Sequence, residues 1–96
     1  MDLGSTIKNL RKQRQQTQQE FAAHCGITQT YLSQIENNLK EPNMGILDGI
    51  SKELKIPLPL LFFFSMTESD IPESKRKDFM TLAPALKSFI NELFSV

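Results

Sequence analysis

The chain has 96 residues, of which 40% are hydrophobic and 23% are charged, as is typical of one small soluble domain. Eleven basic residues balance eleven acidic ones, so the net charge alone does not indicate a strongly basic nucleic-acid binder. One cysteine, Cys25, beside one histidine, His24, excludes a disulfide framework and a four-ligand structural zinc site. With no basic-then-apolar signal at the start and no apolar run near 20 residues, we expect a cytoplasmic protein.

Charge and glutamine are unevenly distributed along the chain. Residues 1–40 contain five basic and three acidic residues, a net charge of +2, whereas residues 41–96 contain six and eight, a net charge of −2. All glutamines lie before residue 35. A mildly basic, amide-rich half can present hydrogen-bond donors and acceptors to DNA. The charge distribution alone favours a solvated helix face over a DNA-binding surface.

Helical spacing and capping residues predict the first two helices. The first is expected over residues 5–15, with Ser5 or Thr6 as its N-cap. Thr17 followed three residues later by Glu20 is a capping box, so a second helix should start directly after the threonine.

The next segment has the pattern of a helix-turn-helix. Gly26 lies just past the second helix, where a left-handed residue is favoured, and Thr28 caps a third helix that runs to about residue 37. Ala22 is small enough for two helices to cross closely. Together these spacings predict a helix-turn-helix over residues 18–35. The apolar residues expected to seal the core behind it are Phe21, Ile27, Leu32 and Ile35.

Two more helices complete an all-α domain over residues 1–64. Asn43 can cap a fourth helix, and Pro59 suits the first turn of a short fifth helix over residues 60–64. Residues 65–73 are polar and are interpreted as a linker.

Residues 74–96 form an amphipathic segment after the linker. Pro84 interrupts it, which predicts either a kinked helix or two helices over residues 74–82 and 84–95. The apolar stripe recurs every three or four residues, the spacing of one helix face. Its members are Phe79, Leu82, Leu86, Phe89, Ile90 and Leu93.

The residues of the first 64 positions match a family pattern. The matching positions are Leu10-Arg11, Thr17-Gln18-Gln19-Glu20-Phe21-Ala22, Gly26-Ile27-Thr28, Leu32-Ser33-Gln34-Ile35-Glu36-Asn37, Pro42, Leu47, Ile50-Ser51 and Leu54. On these residues the sequence resembles the Cro/repressor-type (XRE-type) helix-turn-helix family over residues 5–64. The resemblance implies a five-helix DNA-binding domain that needs no cofactor and performs no catalysis.

The resemblance also assigns roles to individual side chains. Gln18 matches a position that contacts a DNA phosphate, and the third helix matches the recognition helix of the major groove. A glutamine amide can donate to and accept from adenine there. The predicted DNA-binding residues are Gln18, Thr28, Gln29, Thr30, Ser33, Gln34, Asn37, Asn38 and Lys40, with Tyr31 an adjacent candidate.

Other positions match the family as structural residues or depart from it. Arg11 and Glu36 match an ion pair between the first and third helices. Gln15 stands where many members have glycine, so the first turn is expected to differ. Gly49 should weaken the fourth helix by about 1 kcal/mol relative to alanine, unless it allows a neighbouring chain to approach.

Three further groups have a functional and a structural interpretation. His24 and Cys25 resemble a metal or redox pair, but a simple helix end explains them better because other ligands are missing. Glu20 and Glu36 are explained as a cap and an ion-pair partner rather than as catalytic carboxylates. The basic run over residues 75–77 is more simply a solvated first helical turn than a DNA contact. No enzyme, metal site or cofactor is therefore predicted.

Two functions remain open. The first is a sequence-specific transcriptional regulator that binds double-stranded DNA as a homodimer on a pseudo-palindromic operator. Dimerisation would use the apolar stripe of residues 74–96, which could instead fold back on its own domain. The second is an interaction module, such as an antitoxin or regulator antagonist, that retains the fold. Residues that could help dimerisation are Phe62, Phe63 and Phe64.

Overall fold

The computed structural model describes residues 1–94, and these residues are helical with no strand. Two 3-10 turns, Glu68–Asp70 and Glu73–Lys75, lie between the last two helices. This confirms the all-α prediction. Among the described helices, none combines the length and the hydropathy that a membrane span requires. The helices are α1 Leu3–Gln13, α2 Gln18–His24, α3 Gln29–Glu36, α4 Met44–Leu54, α5 Leu58–Ser65 and α6 Arg76–Leu93.

One hydrophobic core holds α1 to α5 together. α1 packs against α3 and α5, and α2 packs against α3, so the helix pair α2–α3 is supported from behind. Phe21, Leu32 and Ile35 are buried as predicted, and Ile27 packs against the core while partly exposed. The buried core residues are Ile7, Leu10, Phe21, Ala22, Leu32, Ile35, Leu47, Ile50, Leu54, Ile56 and Leu61.

The predicted caps of α2, α3 and α4 are present. In the capping box of α2, the backbone N–H of Glu20 donates to Thr17 Oγ1 and the N–H of Thr17 donates to Glu20 Oε1, both at 3.1 Å. Hydrogen bonds from the hydroxyl and the backbone N–H of Thr17 to the carboxylate of Glu20 lower the pKa of Glu20, which keeps the cap ionised. Thr28 and Asn43 cap α3 and α4 with a single hydrogen bond each, which the side chain accepts from the backbone N–H three residues later. Local sequence therefore fixes where these three helices begin.

The start of α1 was predicted wrongly. Its N-cap is Asp2, whose Oδ1 accepts from the N–H of Ser5 at 3.1 Å, and the helix begins at Leu3 rather than near residue 5. Thr6, one of the predicted caps, instead donates its hydroxyl to the carbonyl of Asp2 at 2.9 Å. The distant Asn38 also donates to Asp2 Oδ1, at 2.8 Å, which helps to select this cap.

The fifth helix is longer than predicted. α5 spans Leu58–Ser65 rather than residues 60–64, because Pro57 occupies the N-cap position. Pro59 lies in the first turn, as expected from its fixed φ and missing N–H.

The segment beyond the linker forms one helix, so the alternative of two separate helices is wrong. α6 continues through Pro84. The proline removes the N–H that would donate to the carbonyl of Met80. Both residues are exposed, so water can replace that donor. The predicted extension to residue 95 lies outside the described residues.

Four helices end with a residue in the left-handed conformation. In each case its N–H, and that of the next residue, donate back to carbonyls of the last turn, the Schellman arrangement. Gly26 was expected there. Gln15 adopts the same left-handed conformation although it is not glycine. The backbone at this residue therefore does not show the difference that was predicted for the first turn. The four residues and their φ angles are Gln15 (58°), Gly26 (71°), Asn38 (58°) and Lys55 (56°).

Gly4 marks the closest approach of α1 to the end of α3. A Cβ at this position would collide with the carbonyl oxygen of Ile35 and would lie 2.7 Å from that of Glu36. Backbone atoms cannot rotate away as a side chain can. Gly49, by contrast, has no atom within 4 Å of an added Cβ, so no close approach within the described chain requires a glycine there.

Gly4→Ala is expected to destabilise the protein by roughly 1–3 kcal/mol, because α1 must move away from α3 to accommodate the methyl group. Gly49→Ala is the matched control in another helix and should stabilise by about 1 kcal/mol through helix propensity. Urea denaturation followed by circular dichroism measures both. Equal effects of the two substitutions would contradict the close approach at Gly4.

Candidate nucleic-acid interface

The turn between α2 and α3 is built by two small residues. Ala22 is buried at the crossing, and Gly26 reverses the chain with a φ of 71°. The N–H of Ile27 donates to the carbonyl of Ala22 at 3.0 Å and closes the turn. Since Leu32 and Ile35 face the core, helical spacing directs the opposite face of α3 to solvent.

The predicted contact residues cluster at the two ends of α3. Thr28, Gln29 and Thr30 are exposed at its N-terminal end, while Ser33 and Gln34 are half-buried further along. Beyond the C-terminal end, the three loop residues of the prediction are exposed: Asn37, Asn38 and Lys40. Side chains that can donate or accept hydrogen bonds therefore surround the solvent face of α3.

A hydrogen-bonded network connects the core to this face. Arg11 forms a two-pronged ion pair with Glu36, with Nε 2.7 Å from Oε2 and Nη2 3.1 Å from Oε1. Gln18 Nε2 donates to Glu36 Oε1 at 3.0 Å, and Gln29 Nε2 donates to Gln18 Oε1 at 3.4 Å. The predicted Arg11–Glu36 pair is thus present. It also orients the amide of Gln18, which in turn contacts Gln29.

Thr28 and Asn38, two further predicted contact residues, also make hydrogen bonds that hold the fold. Thr28 Oγ1 accepts from the N–H of Tyr31 at 3.0 Å as the cap of α3, which leaves its hydroxyl hydrogen to donate elsewhere. Asn38 Oδ1 accepts from the N–H of Gly4 at 3.0 Å, and its Nδ2 donates to Asp2. The hydrogen bond from Asn38 is the main reason that the pKa of Asp2 is lowered. The Asn38 side chain ties the loop to α1, and its phosphate contact stays a prediction.

His24 and Cys25 sit at the end of α2 in a setting that suits a structural role. Burial, with a smaller contribution from Glu53, raises the pKa of the Cys25 thiol to about 11, so the thiol is protonated at neutral pH. His24 Nδ1 lies 3.0 Å from Glu53 Oε1, which also accepts from Gln16 Nε2 at 2.9 Å. These contacts join the turn after α1 and the end of α2 to α4. They favour the interpretation of a helix end over a redox pair.

Comparison with known proteins agrees with this geometry. The family model described as helix-turn-helix matches residues 7–61. The chain belongs to the helix-turn-helix family. The match begins within α1 and ends halfway through α5, and it confirms the resemblance drawn from the sequence. In such motifs the second helix of the pair is the one that enters the major groove of DNA. In this chain α3 is the second helix of the pair.

Individual relatives agree with the family assignment. The ImmF control region 10 kDa protein of Bacillus phage phi105 is 37% identical over 71 residues, which cover 74% of this chain and 76% of that protein. An uncharacterized HTH-type transcriptional regulator of Mycobacterium tuberculosis is 31% identical over 59 residues, or 62% of this chain. The matched region is 42% of the length of that mycobacterial relative.

Two structural residues next to the interface escaped the sequence analysis. Gly4 was not assigned a role, and Asn38 was assigned only a DNA contact, although the pair joins α1 to the loop after α3. The contact spans 34 positions in the chain. Local patterns report on neighbours three or four residues apart, so the sequence offered no signal for this contact.

Glu36→Gln is expected to destabilise the protein by about 3–5 kcal/mol, because it leaves the Arg11 guanidinium buried without its counter-charge. The two side chains are 8% and 1% exposed. Asp48→Asn is the control. It breaks the Lys52–Asp48 pair, whose side chains are 77% and 53% exposed, and should cost well under about 1 kcal/mol. Thermal and urea denaturation measure both, and a similar small loss in each variant would contradict a central role for Glu36.

Proposed function

We propose that the protein is a sequence-specific DNA-binding transcriptional regulator that inserts α3 into the major groove. The supporting observation is the helix-turn-helix with Gln29 and Thr30 exposed at the start of α3 and Gln18 beside them. The N-terminal residues of a recognition helix are the ones that face base edges. Relatives named as HTH-type transcriptional regulators support the regulatory role.

The hydrogen bonds that Gln18 and Gln29 already make leave each side chain with different free groups, which favours different roles on DNA. Gln18 uses one N–H for Glu36 and its oxygen for Gln29, so its second N–H can donate to a phosphate. Gln29 uses one N–H for Gln18, so its oxygen and its other N–H can meet an adenine edge. Gln18 would set the register of the domain on DNA, and Gln29 would read sequence.

Gln29→Ala is expected to reduce operator affinity by about 1–3 kcal/mol and to relax specificity at one base pair. Gln18→Ala should weaken all sequences alike, since a phosphate contact is not sequence-specific. The measurement is fluorescence anisotropy on a site first selected from a random DNA pool. Gln19→Ala is the matched control, because Gln19 is exposed on the same helix but outside the predicted contact set. Unchanged affinity in both test variants would place the docking face elsewhere.

We further propose that the chain dimerises through α6, so that two copies of α3 meet half-sites about 34 Å apart. One side of α6 faces the domain, where Ala83 is buried, Phe94 packs against the core, and Lys87 and Asn91 line a cleft with α1. The other side is apolar and exposed. It consists of Leu82 (68% exposed), Leu86 (50%), Phe89 (57%) and Leu93 (63%).

This outer face has the spacing of a helix-pairing seam. Its leucines and phenylalanine recur at intervals of four, three and four residues, as apolar positions do in paired helices. Phe79 and Ile90, also in the predicted stripe, are half-buried and do not belong to this outer face. Phe62 and Phe64 pack against the core, so help from residues 62–64 stays a prediction.

Leu86→Asp is expected to shift the protein from dimer to monomer, because it places a charge in the centre of the apolar outer face of α6. Thr81→Asp introduces the same charge at an exposed position of α6 that is not part of the outer face, and it should leave the dimer intact. Sedimentation equilibrium gives the mass of each, with circular dichroism to verify helix content. A wild-type monomer at micromolar concentration would contradict the dimer.

A second candidate function uses the same apolar face. An amphipathic helix with an exposed apolar side can also dock into the groove of another protein, as expected of an antitoxin or a regulator antagonist. A chain that is monomeric and fails to shift any DNA at low salt, yet forms a stable complex with another protein, would favour that role.

A further inference from the structure

The helix end after α3 differs from the three others of its type because the residue after the left-handed one is both apolar and exposed. At each such end, the residue that follows the left-handed one donates its N–H back to the last helical turn. After α2 and α4 this residue is Ile27, which packs against the core, and Ile56, which is buried. After α1 it is Gln16, which is polar. After α3 it is Leu39, which is 73% exposed.

The exposure of Leu39 follows from the residues beside it. In this type of helix end, an apolar residue at this position normally packs on side chains five and six residues earlier. For Ile27 those side chains are Ala22 and Phe21, both in the core. For Leu39 they are Gln34 and Ser33, both polar and both on the proposed DNA-facing side of α3. Leu39 therefore lies next to that side of α3 with most of its side chain exposed.

The backbone at Leu39 is firmly held. Its N–H donates to the carbonyl of Gln34 at 2.8 Å, and the N–H of Lys40 donates to the same oxygen at 3.3 Å. The preceding Asn38 is tied to α1 through Gly4 and Asp2. A contact made by a side chain on a fixed backbone loses little conformational entropy on binding.

We propose that Leu39 is a DNA-contacting residue that packs against the apolar surface of the operator, either a thymine methyl group or a deoxyribose. The inference rests on the proposed docking face. Its neighbours Asn37 and Lys40 are exposed and can hold a phosphate of the same strand. A leucine between such residues neutralises no phosphate, but it can bury the carbon atoms that lie between phosphates or in the groove.

The test compares Leu39→Ser with Leu39→Met on an operator selected by the wild-type protein. In Leu39→Ser, each methyl-sized group that is no longer buried against DNA should weaken binding by about fourfold per half-site. The slope of affinity against salt concentration should not change in Leu39→Ser, because no phosphate contact is lost, whereas Lys40→Ala should reduce it. Leu39→Met retains apolar surface and should bind close to wild type.

Replacement of each operator thymine by deoxyuridine distinguishes the two DNA surfaces. If one thymine methyl is the partner, deoxyuridine at that position weakens wild-type binding and has no effect on Leu39→Ser. If every deoxyuridine operator behaves alike while Leu39→Ser remains weak, the partner is deoxyribose. Either result supports the proposal.

Two results would overturn it. Unchanged affinity of Leu39→Ser, alongside a loss in Gln29→Ala, would remove Leu39 from the interface but leave the docking face intact. A weaker dimer in Leu39→Ser by sedimentation, with normal binding to a duplex containing one half-site, would assign the side chain to a second copy. Failure of Gln29→Ala and Leu39→Ser together would instead refute the docking face itself.

Discussion

The buried pair between Arg11 and Glu36 is the interaction on which the proposed DNA-facing surface depends. Two charges with side chains 8% and 1% exposed are stable there because they pair with each other and because neighbouring groups complete their hydrogen bonds. Arg11 Nη1 also donates to the carbonyl of Gln16 at 2.8 Å, which fixes the turn after α1. Glu36 accepts from Gln18. One ion pair therefore sets the position of α1, of the N-terminus of α2 and of the end of α3.

A second tie acts on the loop after α3. Gly4 lets α1 approach the last carbonyls of α3, and Asn38 fills the remaining gap with hydrogen bonds to Gly4 and Asp2. The loop that contains Leu39 and Lys40 is thereby anchored at its start. A surface held in this way can meet DNA without first ordering itself, which reduces the entropic cost of binding.

The contacts of α6 differ from those of the other helices. Within one chain it contacts mainly the two 3-10 turns that precede it, and its outer face leaves three leucines and a phenylalanine at least half exposed. Clustered apolar surface of this kind is a common mark of an interaction site. The neutral net charge is the sum of two unlike parts. Residues 1–40, which contain the proposed DNA-binding face, have a charge of +2, and residues 41–96, which contain α6, have a charge of −2.

The sequence by itself determined the features that arise from near neighbours. The capping box at Thr17 and Glu20, the left-handed Gly26, the caps at Thr28 and Asn43 and the apolar spacing of α6 were all predictable, because each involves residues a few positions apart. Resemblance to a family supplied the Arg11–Glu36 pair. Only the tertiary structure decided the cap at Asp2, the requirement for Gly4 and the structural role of Asn38. These depend on contacts between α1 and the end of α3, which a local pattern does not encode.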